Sequence, residues 1–130
     1  MFASLQNPLS LIGRALLALL FIPAGFSKIA GFAGAVGYTA AKGVPLPEVA
    51  IAIAIAIELG LGLLLLVGFQ TRWAALGIAI FTFVISFIFH PLGDPAQAQS
   101  FFKNMAIVGG LLTVAAWGAG RWSVDAKLSA

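Results

Sequence analysis

The chain has 130 residues, 62% of them hydrophobic and only 8% charged, with a formal net charge of +3 and a mean hydropathy of +1.09. Soluble domains are roughly half apolar and about a quarter charged, and a fold this small cannot hide the excess from water, so a soluble enzyme is excluded. The absence of Cys removes a disulfide framework, a thiol relay, thiolate-ligated clusters and covalently attached c-type haem.

Four apolar stretches of about 20 residues each would occupy most of the chain and leave no room for an extramembrane catalytic domain. The expected fold is therefore all-α, a four-helix transmembrane bundle forming one domain over residues 1–130. The first apolar stretch covers about residues 8–29. It lacks a basic segment ahead of its core and a small-residue cleavage site after it, and it holds Arg14 and Lys28. These features make it a retained span rather than a signal peptide. Residues 31–46 are rich in Gly and Ala and end in the breakers Gly43, Pro45 and Pro47, which predicts a short interfacial helix and then a new element.

Pro47 and Glu48 suit the first turn of a second span, about residues 47–69, where a missing N–H costs little and a carboxylate meets the positive end of the helix dipole. Ile51 to Ile57 alternates Ile with Ala, a period of two that suggests a strand in isolation. A lone strand cannot satisfy its backbone in lipid, so the stretch is read as helix. Thr71 is the expected cap of a third span, about residues 72–90, with Trp73 as an interfacial anchor and His90 and Pro91 at its end. Asp94 and Pro95 form a start signature for the fourth, about residues 95–118, which Gly118 and Gly120 stop. The tail from Arg121 is short and polar, with no element expected.

An even number of spans puts both termini on one side. That side collects Arg14, Arg72, Arg121 and Lys127 and the other collects Lys28, Lys42 and Lys103, so the positive-inside rule assigns both termini to the cytoplasm. The basic residues form no run or patch for nucleic acid, and lipid headgroups are their expected partners.

A charge within a span is costly unless it faces protein, water or a partner. At 100° per residue Arg14 and Lys28 share a stripe with Ala18, Phe21 and Gly25, and Arg72 and His90 lie near a line through Ala75, Ala79, Phe83 and Ser86. Ala50, Ala54, Glu58 and Gly62 form a small-residue ridge interrupted by one carboxylate. On the fourth span Lys103, Ala106, Gly110, Thr113 and Trp117 form a comparable ridge, and Asn104 points about 100° away, so two orientations remain open. Glu58 is roughly 16 Å from either end of its span, too deep to reach water by itself. Counted from the terminal side, Arg14 would lie about 9 Å deep and Lys28 about 30 Å deep, so Arg14 is the expected partner of Glu58. The pair would either fix helix register or serve chemistry; an unpaired, protonated Glu58 is the third reading.

Lys28, His90, Lys103 and Asn104 fall near the far ends of their helices and would together line a polar mouth. The candidate site thus comprises Glu58 and His90 as proton-handling, catalytic groups, with Arg14, Lys28 and Asn104 as substrate-binding groups. A single His makes a metal centre unexpected.

Several motifs, in this order, resemble the DoxX family of small four-helix membrane proteins: Arg14 with F-x-x-x-G-x-x-K at Phe21, Gly25 and Lys28; K-G-V-P-L-P at Lys42 to Pro47; Glu58 with Gly62; G-F-Q-T-R-W-A-A at Gly68 to Ala75; Phe89 with His90; and F-x-K-N followed by G-G-L-L between Phe101 and Leu112. The resemblance implies a multi-pass bundle in the bacterial inner membrane. It also implies a link to membrane redox complexes, since the family is named for its similarity to a subunit of thiosulfate:quinone oxidoreductase. Two function classes follow. One is a quinone-interacting or membrane-anchoring subunit of an oxidoreductase, binding quinone non-covalently while a partner protein carries the redox centre. The other is non-enzymatic: an assembly protein, or a small proton-coupled transporter using Glu58 and His90. A thin four-helix bundle also makes homo-oligomers an expectation.

Overall fold

In a computed structural model, residues 2–129 are described, and among them the chain is helical with no strand. A 3₁₀ turn, Phe2–Leu5, leads into α1 (Gln6–Ala30), followed by the short α2 (Phe32–Ala41). The second span is one continuous rod built of α3 (Pro47–Ile55), a π-helical stretch (Ala56–Leu61) and α4 (Gly62–Val67). Then come α5 (Thr71–Phe89), α6 (Pro95–Trp117) and a short α7 (Val124–Ser129) within the tail. Phe2–Ala30, Pro47–Val67, Thr71–Phe89 and Pro95–Trp117 are each long and apolar enough to cross a bilayer. Their bounds fall within a few residues of those read from the sequence, apart from the 3₁₀ start of the first. The Ile-Ala alternation is helical, as backbone satisfaction in lipid demands.

Packing goes around the bundle in chain order. α1 lies along the second span, the second span meets α5, and α5 and α6 form the most extensive helix pair, whereas α1 and α6 barely touch. Small residues set the close approaches. A Cβ on Gly25 would stand 2.9 Å from Leu59 Cβ and 3.0 Å from Leu59 N, and one on Gly62 would stand 3.0 Å from Ile22 Cγ1. Such tight contacts replace hydrophobic attraction as the glue between helices in lipid. The buried residues of α1 are Arg14, Ala18, Phe21 and Gly25, the stripe expected from periodicity. On α5, Ala75, Ala79 and Ser86 are buried as expected, but Arg72 and Phe83 face outward.

The orientation of α6 is settled by Phe101, Val108 and Leu111, which are buried with Asn104 on the same inward side. The Lys103, Ala106 and Thr113 ridge is exposed. Val108 and Leu111 pack in the core cluster with Ala75, Ile78 and Ala79 of α5.

Thr71 is not the cap of α5. Gln70 occupies the preceding position in the left-handed region, with φ 49°. The cap comes from the tail: Asp125 accepts hydrogen bonds from Gln70 N–H at 2.7 Å, Thr71 N–H at 2.9 Å and the Thr71 hydroxyl at 2.7 Å. A cap supplied across 54 residues carries no local signature, which is why α7 and its role are invisible in the sequence pattern.

Candidate functional site

The π-helical stretch contains Glu58. Such wide turns are rare and often mark functional positions. Glu58 is 4% exposed, and its partner is Lys28, whose Nζ donates to Oε2 at 3.0 Å and lies 2.9 Å from Oε1 in an ion pair. This corrects the expected Arg14–Glu58 pair. The depth estimate assumed that the first two spans begin at a common plane. The Gly25–Leu59 and Gly62–Ile22 contacts instead slide α1 so that residue 25 lies level with residue 59. Lys28 is then only about 3 Å along the axis from Glu58, within easy reach of its long side chain.

The same slide carries Arg14 down to the end of the second span. Its Nη1 donates to Leu65 O at 2.9 Å and Leu66 O at 3.1 Å, and its Nη2 donates to Trp122 O at 2.6 Å. Leu65 and Leu66 lie in the last turn of α4, whose carbonyls have no intrahelical partner, so a cation is well placed there. Arg14 is 1% exposed and about 21 Å along α1 from Lys28. It belongs to the joint that holds the tail and is remote from the carboxylate.

The Lys28–Glu58 pair lies in the wall of a cavity of about 470 Å³ whose lining includes Ile51, Ile53, Ile85, Ile88, Phe89 and His90. The short helix α2 packs against α3 beside it. Tyr38 of α2, also in the lining, stacks on Phe89 of α5 with centroids 5.6 Å apart, and Lys42 Nζ lies 5.5 Å from the Tyr38 ring centroid. His90 ends α5, and Gln97 Oε1 accepts from its Nδ1 at 2.6 Å. That bond leaves Nε2 of a neutral ring as an acceptor. The short helix expected between the first two spans is present as α2; its place in the cavity wall, through Tyr38 and Thr39, carries no signal in the sequence pattern.

Of the five sequence-derived site residues, Lys28, Glu58 and His90 meet at this cavity and Arg14 does not. Asn104 is directed elsewhere in the bundle, its Nδ2 donating to Ser86 Oγ at 3.1 Å, while Ser86 Oγ donates to Thr82 O at 2.6 Å. Lys103 is exposed, so the expected four-residue mouth reduces to Lys28 and His90. Among the described residues no three His, Asp or Glu side chains gather around a metal-sized point. What the arrangement offers is a Lys–Glu ion pair, its carboxylate buried, in a mostly apolar recess that also holds Tyr38, Thr39 and His90.

A four-span bundle with a Lys–Glu pair inside a recess between its helices defines a small multi-pass membrane protein. The DoxX family model matches residues 9–91, and the chain belongs to the DoxX family. It is 41% identical over 123 residues to the inner membrane protein YqjF of Escherichia coli strain K12, an alignment covering 92% of this chain and 91% of that protein. It is 34% identical over 132 residues to the inner membrane protein YphA of the same strain, covering 97% and 94%. No solved structure matches the chain. The matched range spans Lys28, Glu58 and His90, and both relatives carry the name inner membrane protein.

Proposed function

We propose that the Lys28–Glu58 cavity binds the head of an isoprenoid quinone and that the chain is the quinone-interacting subunit of a membrane oxidoreductase whose redox centre is carried by a partner protein. The observation behind this reading is the buried ion pair set in apolar walls, because ligand sites combine mostly apolar lining with few polar groups that fix orientation. Lys28 has three N–H groups, and its hydrogen bond to Glu58 Oε2 engages one of them, so donors remain for a ring carbonyl. Tyr38 and Phe89 offer aromatic surface for a flat head. Ile53, 53% exposed on the bundle surface, gives an isoprenoid tail a path into lipid.

A bound quinone would supply two-electron, two-proton redox chemistry. Glu58 would hold or release a proton at its carboxylate, and His90 at the mouth would exchange it with water beyond Gln97. A chain without Cys cannot hold an iron–sulfur cluster through thiolates, which is why the electron donor is assigned to a partner.

The test is native mass spectrometry of protein extracted in mild detergent, with organic extraction of whatever accompanies it. Stoichiometric quinone, reduced about tenfold or more in Glu58→Gln and Lys28→Met, is the expected result. Quinone-free protein, or quinone retained equally by both variants, would refute the reading. A membrane-anchoring or assembly role is the second reading, favoured by the exposed Lys103–Ala106 face of α6. A single cysteine placed at Ala106 that crosslinks to one partner in a quinone-free preparation would support it.

A further inference from the structure

The opposite end of the bundle carries a second recess. α1 and α6 separate there to leave a laterally open groove of about 680 Å³, with Leu9, Gly13, Leu16 and Leu20 on one side and Gly110 and Trp117 on the other. Its lining runs from residue 9 to residue 20 of α1 and from residue 107 to residue 118 of α6. That is about 16 Å of helix axis, close to half of the roughly 30 Å hydrocarbon thickness. Phe21, just past the lining of α1, joins Val108 and Leu111 in the core. The depth of the groove matches a lipid chain confined to one leaflet.

Charge selects the headgroup. Arg14, Arg72, Arg121 and Lys127 stand at this end against the lone acid Asp125, whereas the far end balances Lys28, Lys42 and Lys103 against Glu48, Glu58 and Asp94. The whole net charge of +3 therefore sits at the end where the groove opens to the headgroup layer. Arg72 lies directly at its mouth: a Cβ on Gly118, a lining residue, would stand 3.2 Å from Arg72 Nε. Among the described residues Arg72 carries no hydrogen bond or ion pair. Trp117, 82% exposed in the same lining, is placed as an interfacial anchor. Arg14 also lines the groove, and its buried Nε has no partner.

We infer that the α1–α6 groove is a binding site for one anionic glycerophospholipid of the leaflet on the side of the termini, with an acyl chain between Gly13 and Gly110 and the phosphate at Arg72. The site is independent of the quinone reading. It is tested by native mass spectrometry of delipidated protein titrated with phosphatidylglycerol or phosphatidylethanolamine. Wild-type protein should retain phosphatidylglycerol roughly fivefold better, the preference expected from one basic side chain at an anionic headgroup. Arg72→Gln, a surface change that leaves the bundle intact, should abolish that preference. Gly13→Leu, at a position where a Cβ meets nothing within 4 Å, should lower retention of both lipids by filling the groove, with helical content unchanged by circular dichroism. Equal retention of the two lipids by wild type, a preference that survives Arg72→Gln, or retention unaffected by Gly13→Leu would each overturn the assignment.

Discussion

The two ends of α1 each hold a cation, one buried and one half-buried, and the structure treats them in opposite ways. Arg14 gives its charge to three backbone carbonyls from two distant segments, Leu65 and Leu66 of α4 and Trp122 of the tail. Lys28 meets a carboxylate, keeps 29% of its side chain exposed, and shares a cavity with aromatic and apolar side chains. The Arg14 end is a closed joint that gathers chain segments around one guanidinium. The Lys28 end keeps polar capacity in reserve, facing space. The cation is thus tied to backbone carbonyls at one end and to a carboxylate beside a cavity at the other, and the kind of partner is the difference: carbonyl dipoles take up a charge without exchanging protons, whereas a carboxylate is a titratable group.

Breaking the closed joint should have the largest effect. Arg14→Met leaves three carbonyls at the base of the bundle without their donor, and breaking a buried charged network typically costs about 3–5 kcal/mol. Unfolding in mixed micelles should show a loss of that order; a loss below about 1 kcal/mol would mean that water or lipid replaces the guanidinium and that the joint is not structural.

The open end should respond asymmetrically. Lys28→Met strands the nearly inaccessible Glu58, while Glu58→Gln leaves Lys28 partly exposed and able to turn toward the headgroups. The lysine variant should therefore be the less stable, by about 1–2 kcal/mol, and the double variant should recover part of the loss. Equal single losses that simply add in the double variant would show that the pair is not coupled.

The smallest effect is expected at Asp125. Partial burial works against its ionisation, but hydrogen bonds from the Thr71 N–H, the Thr71 hydroxyl and the Gln70 N–H, helped by the charge of Arg14, outweigh it and hold the carboxyl below its usual range. A carboxylate favoured in the folded state stabilises fully above its ordinary value of about 4, and that stabilisation disappears as pH falls through the lower folded value. Asp125→Asn should cost about 1 kcal/mol at neutral pH, the usual worth of a helix cap. It should also flatten the acid limb of the stability profile below about pH 4. An acid limb identical to that of wild type would show that the cap does not depend on charge.

Much of this molecule could be read from residue spacing. The span limits follow from apolar length and from Pro, Gly and capping residues, the inward placement of Glu58 from the cost of a charge in lipid, and the buried stripe Arg14–Ala18–Phe21–Gly25 from helical periodicity, because a side chain's angular position depends on its own helix alone. The partner of Glu58 could not be obtained that way. Lys28 and Arg14 share a stripe, so the angle admits both, and only the axial offset between two helices separates them. That offset comes from Gly25 meeting Leu59 and Gly62 meeting Ile22, contacts between residues some 34 and 40 positions apart. The cap from Asp125 and the coverage of the cavity by α2 were hidden for the same reason.

The amino-acid sequence by itself therefore determined the solvent, the number of spans, their ends and which face of α1 and of the second span turns inward. Tertiary structure decided which face of α6 packs, which cation meets Glu58, which stays with backbone carbonyls, and where the bundle fails to close. Hydrophobicity and periodicity are properties of one segment, whereas register and cavities are relations between segments, set where glycine lets two backbones approach.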